Sequence, residues 1–220
     1  INLIINMMHK IVNIFPTPIY IAKREIEATT SELEDIKSII EKASEKETES
    51  FSTGYIISSR KNTHLFDTKL NSLKAFCEQH INTYVNEIIS PKNTELDFYI
   101  TQSWLNIVHP GESHPIHCHT NSIISGIFYV LTVEGDAIQF YDPGSLMKNR
   151  TEIEMLEATI WNAPVQNLDI HKNELILFPS WLGHGVTQNA STTTNRISIA
   201  FNVFIKGSIG EETRMTELVL

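Results

Sequence analysis

The spacing of apolar residues divides the chain into a helical first part and a strand-rich second part. Between residues 33 and 43, and again between residues 67 and 88, apolar positions recur every three or four residues, as on one face of an α-helix. Ser31-Glu32-Leu33-Glu34 is a capping-box pattern that would begin the first helix, and Ser90-Pro91 would end the second. From Asp97 onward the period changes to two, which predicts strands.

The clearest predicted strand is Asn195–Ile205, in which apolar residues alternate with a more polar set that begins with Arg196 and Ser198. Successive side chains of a strand point to opposite faces, so we expect the apolar face to pack beneath the helices and the other to line a polar cavity. The connection Ser145–Asp169 is expected to be mostly irregular and is a candidate lid. Further strands are predicted at Lys10–Ile21 (an edge strand interrupted by prolines), Phe51–Ser58, Phe98–Val108, Ser122–Val133, Ala137–Tyr141 and Glu174–Phe178.

Two helices followed by many short strands predict a mainly β protein, a sandwich or barrel with N-terminal helices packed on one face. We treat residues 1–220 as a single domain, in which 10–96 supply an N-terminal strand and supporting helices and 97–206 form the core. Residues 1–9 are assigned to an extension or tail, because Met8 could serve as an alternative start. The oligomeric state is open, and a homodimer through the helices or an edge strand is one arrangement.

The composition narrows the classes of function. Hydrophobic residues make up 41% of the 220 and charged residues 20%, which is ordinary for a globular domain. The formal net charge of −9 argues against a nucleic-acid partner, which normally needs clustered Lys and Arg. No apolar run approaches the roughly 20 residues of a membrane span, so we expect no membrane partner, and the two cysteines suit a reducing compartment. A cytoplasmic location is expected by default and not from a positive signal.

The candidate chemistry begins in the histidine-rich run His114–His119. In an extended strand His117 and His119 share a face at a backbone separation of roughly 7 Å, so their imidazoles can converge on one metal ion. His114 has odd spacing from both and is expected to point elsewhere unless the turn rotates it. The alternative is that the pair are hydrogen-bonded histidines at the mouth of a barrel.

A third imidazole lies far downstream at His184, and Arg196 follows it by twelve residues. A mononuclear non-haem iron site needs protein ligands on one face, with open positions for other ligands. A double-stranded β-helix, the jelly-roll or cupin-like fold, supplies this arrangement with two ligands from one strand and a third from a later strand. His117, His119 and His184 fit that plan, and the guanidinium of Arg196 could bind a carboxylate in the same cavity.

Several separated motifs together carry a family resemblance. The segments SWLNIVHPGESHPIHCHTNSIISGIFYV and ELILFPSWLGHGVTQN, followed by NRISIAFNVF, resemble the 2-oxoglutarate/iron(II)-dependent oxygenases of bacteria and marine phages. They are more distantly similar to the prolyl hydroxylases. The resemblance covers Phe98 to Ile205, and the N-terminal FPTPIY is similar to the family's opening.

The resemblance implies a set of roles for residues of this chain. His117 and His184 would be iron ligands, and Arg196 would bind the distal carboxylate of 2-oxoglutarate. Tyr129 is similar to the tyrosine that hydrogen-bonds the same carboxylate in prolyl hydroxylases, although a satisfied polar residue in the barrel wall is the alternative. Asn106 would contact the cosubstrate near the metal, and Ser198 and Asn202 would line the pocket. The implied cofactors are iron(II), 2-oxoglutarate and O2, and the implied reaction hydroxylates a small-molecule or protein substrate with release of succinate and CO2.

One departure from the family leaves alternatives open. The oxygenases at large place Asp or Glu where this chain has His119, so either His119 is the third ligand or a carboxylate such as Asp142 replaces it. We favour His119 because its spacing demands nothing further. A three-histidine iron dioxygenase that does not use 2-oxoglutarate, and a non-catalytic jelly-roll binding protein, remain alternative functions.

Overall fold

The computed structural model describes residues 10–26, 28–45, 56–57, 64–144 and 153–220. Its helices are α1 (Thr30–Glu45), α2 (Leu65–Thr68) and α3 (Asn71–Tyr84), and a π-helical turn at Val85–Ile89 extends α3. The strands are β1 (Tyr20–Lys23), β2 (Ile56–Ile57), β3 (Asp97–Val108), β4 (His114–His117), β5 (Ile124–Leu131), β6 (Ala137–Tyr141), β7 (Val165–Asp169), β8 (Glu174–Pro179), β9 (His184–Val186), β10 (Arg196–Lys206), β11 (Ser208–Ile209) and β12 (Leu218–Val219).

Two antiparallel sheets form the core. The major sheet has the strand order β1-β8-β5-β10-β3-β2, and the minor sheet has the order β4-β9-β6-β7. The pairing of non-consecutive strands is that of a jelly roll, so the predicted double-stranded β-helix is confirmed. Strands β11 and β12 form a separate two-stranded ribbon near the C-terminal end of the described chain.

The two faces of β10 serve two different hydrophobic clusters. Ile199, Phe201 and Val203 are fully buried and pack with residues of α1, α2 and α3 on the outer face of the major sheet. Ala200 lies on the opposite face, in a second cluster between the two sheets. Arg196 and Ser198 share that inner face by the period of two, and both are buried. The predicted orientation of this strand is therefore confirmed.

Several predicted boundaries of the helical part are wrong. The capping box is formed two residues earlier than predicted: the backbone N–H of Glu32 donates to Thr29 Oγ1, and the backbone N–H of Thr29 donates to the Glu32 carboxylate. The single helix predicted from residue 67 to 88 is divided at Leu70, which has φ of 60°. Ile88 was expected on the buried face but is 38% exposed, because the π-helical turn changes the rotation per residue.

Other predictions fail in the connections. Strand β7 lies within the segment 145–169 that was expected to be mostly irregular, and it pairs with β6 along five residue pairs, from Ala137–Asp169 to Tyr141–Val165. Residues 145–152 lie outside the described part, as do most of the strand predicted at residues 51–58, of which Ile56–Ile57 form β2. The predicted N-terminal edge strand begins only at Tyr20, after the prolines. Among the described residues, none of the helices has the length and apolar character to cross a bilayer.

Gly126 in β5 tests the packing between neighbouring strands, because it lies opposite Phe201 of β10. A methyl group at this position would overlap the ring of Phe201, which is fully buried and cannot move aside. We expect Gly126→Ala to lower the free energy of unfolding by about 1–3 kcal/mol in urea titrations. The matched control is Gly183→Ala, whose methyl group would lie at an ordinary 3.4 Å from Ile116 Cδ1. If Phe201→Leu in the Gly126→Ala background fails to recover part of the loss, steric overlap is not the cause.

Candidate metal centre

Three histidines converge at one end of the space between the sheets. His117 at the end of β4 is paired with His184 at the start of β9. His119 lies two residues beyond the end of β4, where its backbone N–H donates to the carbonyl of Ser180 at 3.0 Å. One ligand nitrogen from each ring lies within 4.8 Å of the other two, which is the spacing that a single bound metal ion requires.

Each of the three rings donates its Nδ1–H to an oxygen outside the cluster. His117 donates to the carbonyl of Pro115 at 2.9 Å, and His184 donates to the carbonyl of Leu182 at 3.0 Å. His119 donates to Oδ1 of Asn202 on β10. Because these partners are acceptors, each ring keeps its lone pair on Nε2, which is the tautomer that binds a metal.

Burial keeps these imidazoles neutral. Desolvation, followed by the neighbouring His117, lowers the pKa of His184 to about 3. Burial also lowers the pKa of His117 and of His119 below the ordinary value. Neutral imidazole is the form that binds a metal, so the three side chains are ready to do so at neutral pH without displacing protons. A donor set of three imidazoles suits iron, zinc, copper and nickel.

The position of His114 differs from the expectation. The register of β4 against β9 shifts between His114 and His117, and this irregularity turns both rings to the inner face. The centroids of the two rings are 4.3 Å apart. Burial lowers the pKa of His114 to about 3. The alternative third ligand, Asp142, does not belong to the cluster; its Oδ1 accepts a hydrogen bond from the backbone N–H of Gly144.

A cavity of about 560 Å³ extends from the histidines along the inner face of β10. The order of side chains on this strand gives the cavity its direction: Asn202 contacts His119, Ser198 pairs with Asn106 and Tyr129 on the neighbouring strands, and Arg196 lies beyond. We call the region around Arg196 the distal end. The side chains that line the cavity include Gln102, Trp104, Asn106, His114, Thr120, Ile127, Tyr129, Val186, Arg196, Ser198, Ala200 and Asn202.

Two buried polar atoms of this cavity are unsatisfied. The Tyr129 hydroxyl and Asn106 Oδ1 have no hydrogen-bond partner among the described residues. Burial raises the pKa of Tyr129, so its hydroxyl is a protonated donor. A buried polar group without a partner costs free energy unless a ligand or water satisfies it. The distal end therefore presents a donor to a polar ligand, as a carboxylate group would require.

Arg196 at the distal end is fixed by Asp136, a partner that residue spacing along the chain does not indicate. Its Nη1 donates to Asp136 Oδ1 at 2.6 Å, and its Nη2 donates to the carbonyl of Thr187 at 2.9 Å. The Asp136 side chain is completely buried and also accepts the backbone N–H of Val133 at 2.8 Å. The signal available in the sequence was an acidic residue at the start of a strand, directly after the turn glycine Gly135, which has φ of 83°. Other N–H groups of the guanidinium remain available to a ligand.

Comparison with known proteins finds a family model that matches the part of the chain containing this site. Residues 102–202 match the family model described as "Putative 2OG-Fe(II) oxygenase", which confirms the predicted resemblance for this part of the chain. This range contains the three histidines and Arg196. The family implies iron(II) and 2-oxoglutarate as cofactors. A search of curated proteins finds no match.

Two solved structures with TM-scores above 0.5 show the same fold at low sequence identity. A prolyl-4-hydroxylase from Pseudomonas putida aligns with a TM-score of 0.54 and 12% identity, over 87% of this chain and 94% of that one. HygX from Streptomyces hygroscopicus, solved with nickel, 2-oxoglutarate and hygromycin B, aligns with a TM-score of 0.52 and 11% identity, over 86% and 83%. A 2OG-Fe(II) oxygenase family protein from Burkholderia pseudomallei is matched over only 57% of each chain, with 9% identity and a TM-score of 0.39.

Asn202 provides a test of the candidate metal centre that does not remove a ligand. Asn202→Ala removes the acceptor that fixes the tautomer of His119, so we expect nickel(II) or iron(II) affinity to fall about 10- to 100-fold. Asn202→Asp keeps an acceptor and should retain most of the affinity. The measurement is a metal titration by calorimetry, with Asn167→Ala on the exposed face of β7 as the control. Equal metal affinity in Asn202→Ala and wild type would argue that His119 is not a ligand.

Proposed function

We propose that this protein is a 2-oxoglutarate- and iron(II)-dependent dioxygenase that hydroxylates a small-molecule or protein substrate, with release of succinate and CO2. One observation carries the proposal: the three convergent imidazoles and the buried guanidinium line one cavity, next to a hydroxyl that has no hydrogen-bond partner among the described residues. His117, His119 and His184 would hold the iron. Arg196 and Tyr129 would hold the distal carboxylate of the cosubstrate.

The residues of the chain would orient and enclose the reactants. When bound, iron(II) with 2-oxoglutarate and O2 supplies an oxidant strong enough to hydroxylate a C–H bond. Tyr129 and Arg196 donate hydrogen bonds from the distal end, which fixes the direction in which the cosubstrate lies. Asn106 and Ser198 line the wall between the distal end and the histidines. Ile127, Val186 and Ala200 provide apolar wall that excludes water.

The substrate would enter where the cavity meets solvent. The side chains on the histidine side of the cavity include Gln102, Trp104 and Thr120, which are uncharged. They offer hydrogen bonds and an aromatic face to a substrate group, but no ion pair. Small molecules and protein side chains can both supply such a group.

The first experiment uses the visible charge-transfer band of an iron(II)–2-oxoglutarate chelate. We expect the anaerobic wild-type protein to show this band after addition of iron(II) and 2-oxoglutarate, because both would bind in one cavity. His184→Ala should abolish the band through loss of a ligand. His171→Ala, which changes an exposed histidine, is the matched control and should keep it.

The other outcomes of this experiment are informative. Iron binding without a band, in a protein that still consumes oxygen with a substrate, would favour the three-histidine dioxygenase that does not use 2-oxoglutarate. Failure of the wild-type protein to bind iron would overturn the proposed enzyme and leave the non-catalytic binding protein.

Tyr129→Phe separates ligand binding from stability. The hydroxyl has no partner among the described residues, so its removal should leave the free energy of unfolding unchanged or raise it by about 1 kcal/mol. The same change should weaken 2-oxoglutarate binding to the metal-loaded protein about tenfold, because a hydrogen bond to a carboxylate is lost. Calorimetry and urea titration provide the two readouts, and Tyr99→Phe on a 42% exposed residue is the control. Loss of stability with unchanged affinity would show that the hydroxyl acts within the fold.

A further inference from the structure

The charged side chains at the cavity are Arg196, which lines it, and Asp136, which forms an ion pair with Arg196. Among the described residues that line it, Arg196 is the one arginine, lysine, aspartate or glutamate side chain. Behind Arg196 lies Asp136, whose side chain has no exposure to solvent. The ion pair between them is therefore shielded from the screening that weakens surface pairs.

Burial determines what Asp136 does to the distal end. A buried guanidinium without a counter-charge would create a strong positive potential, because no water is present to screen its charge. Asp136 lies 2.6 Å from Nη1 of Arg196 and cancels most of that potential, while the Thr187 carbonyl fixes Nη2. The distal end thus keeps the hydrogen-bond donors of an arginine but little of its net charge.

The metal end of the cavity differs from the distal end in net charge once an ion is bound. Three neutral imidazoles would leave the two positive charges of an iron(II) ion uncompensated by the described residues that line the cavity. A bound dianion such as 2-oxoglutarate balances these charges by itself, and it can do so only if the distal end adds no further positive charge. The pair of Asp136 and Arg196 satisfies this condition, because its own charges sum to zero.

We propose that Asp136 is a specificity-determining residue, which neutralises Arg196 and so sets how strongly the pocket favours a second carboxylate on the cosubstrate. This inference rests on the proposed function. Arg196 then recognises the distal carboxylate by hydrogen-bond geometry, and the charge of the ligand is matched by the metal. Asp136 has no contact with the ligand itself; it acts through Arg196.

The test compares two ligands that differ in one charge. They are 2-oxoglutarate and its monoamide, in which a neutral amide replaces the distal carboxylate. Nickel(II) replaces iron(II) to prevent turnover, and calorimetry gives both dissociation constants. The ratio of the monoamide constant to the 2-oxoglutarate constant measures the preference for a distal charge and is independent of changes in metal chelation shared by the two ligands.

Asp136→Asn keeps the shape and an acceptor oxygen but removes the negative charge. We expect the preference for 2-oxoglutarate over the monoamide to rise about tenfold, because the charge of Arg196 is no longer cancelled. Glu134→Gln removes the same charge from an exposed position two residues away and should leave the ratio unchanged. If Asp136 merely held Arg196 in place, Asp136→Asn would lower this ratio, because a displaced Arg196 would bind the distal carboxylate less tightly.

A second pair of variants covers the case in which Asp136→Asn does not fold. Arg196→Gln leaves Asp136 without its partner, so the distal end should repel a second carboxylate and the monoamide should become the tighter ligand. Arg196→Gln with Asp136→Asn removes both charges, which proteins often tolerate, and should restore part of the preference for 2-oxoglutarate. Equal ratios in these two variants would overturn the proposal.

The two levels of failure are distinguishable. If the nickel-loaded wild-type protein binds neither ligand, both the proposed function and this inference fail. If it binds 2-oxoglutarate but Asp136→Asn lowers the ratio or leaves it unchanged, the oxygenase proposal stands and the role given to Asp136 is wrong.

Discussion

The alternation of side chains along β10 is the constraint on which the rest of the structure depends. The apolar face of this strand packs against the helices, and the other face places polar side chains in the cavity between the sheets. Because the period of a strand is two, a shift of one residue would exchange these faces and remove both the core and the cavity. Long pairing with β3 on one side and β5 on the other fixes the register. The fold and the site therefore depend on the same strand, through alternate residues.

The site combines neutral donors with one isolated pair of charges. The imidazoles, the Asn202 amide and the Tyr129 hydroxyl are all uncharged, and Arg196 is matched by Asp136 behind it. Such a site avoids the cost of several buried charges in the absence of ligands. The Tyr129 hydroxyl, which has no partner within the described part of the chain, adds a small free-energy cost of the kind that binding sites carry.

The sequence was sufficient for those features that depend on local spacing. The alternation of β10 and the change of period at Asp97 follow from the geometry of an extended chain. The convergence of His117 and His119 was expected on one strand, but β4 ends at His117 and His119 lies beyond it. Features that depend on long-range partners were not predictable in this way. His114 turns inward only because β4 has an irregular register against β9, and Asp136 acquires its role from Arg196, sixty residues away.

Errors in the helical part have a similar physical origin. Ser31 and Thr29 are both good caps, and the choice between them is made by Glu32, which forms the reciprocal bond with Thr29 and also binds Arg24. The strand β7 was missed because its residues are only half-buried and carry a weak apolar alternation, so pairing with β6 decides its structure.

The location of β4 at the edge of the minor sheet has a consequence for dynamics. Within the described chain β4 pairs only with β9, so this short strand can separate without opening the interior of the sheet. A metal ion held by His117, His119 and His184 would link the edge strand, the turn after it and the neighbouring strand. Bound metal would therefore slow amide hydrogen exchange in β4 and β9 more than in the helices, because it would link an edge strand to its neighbour.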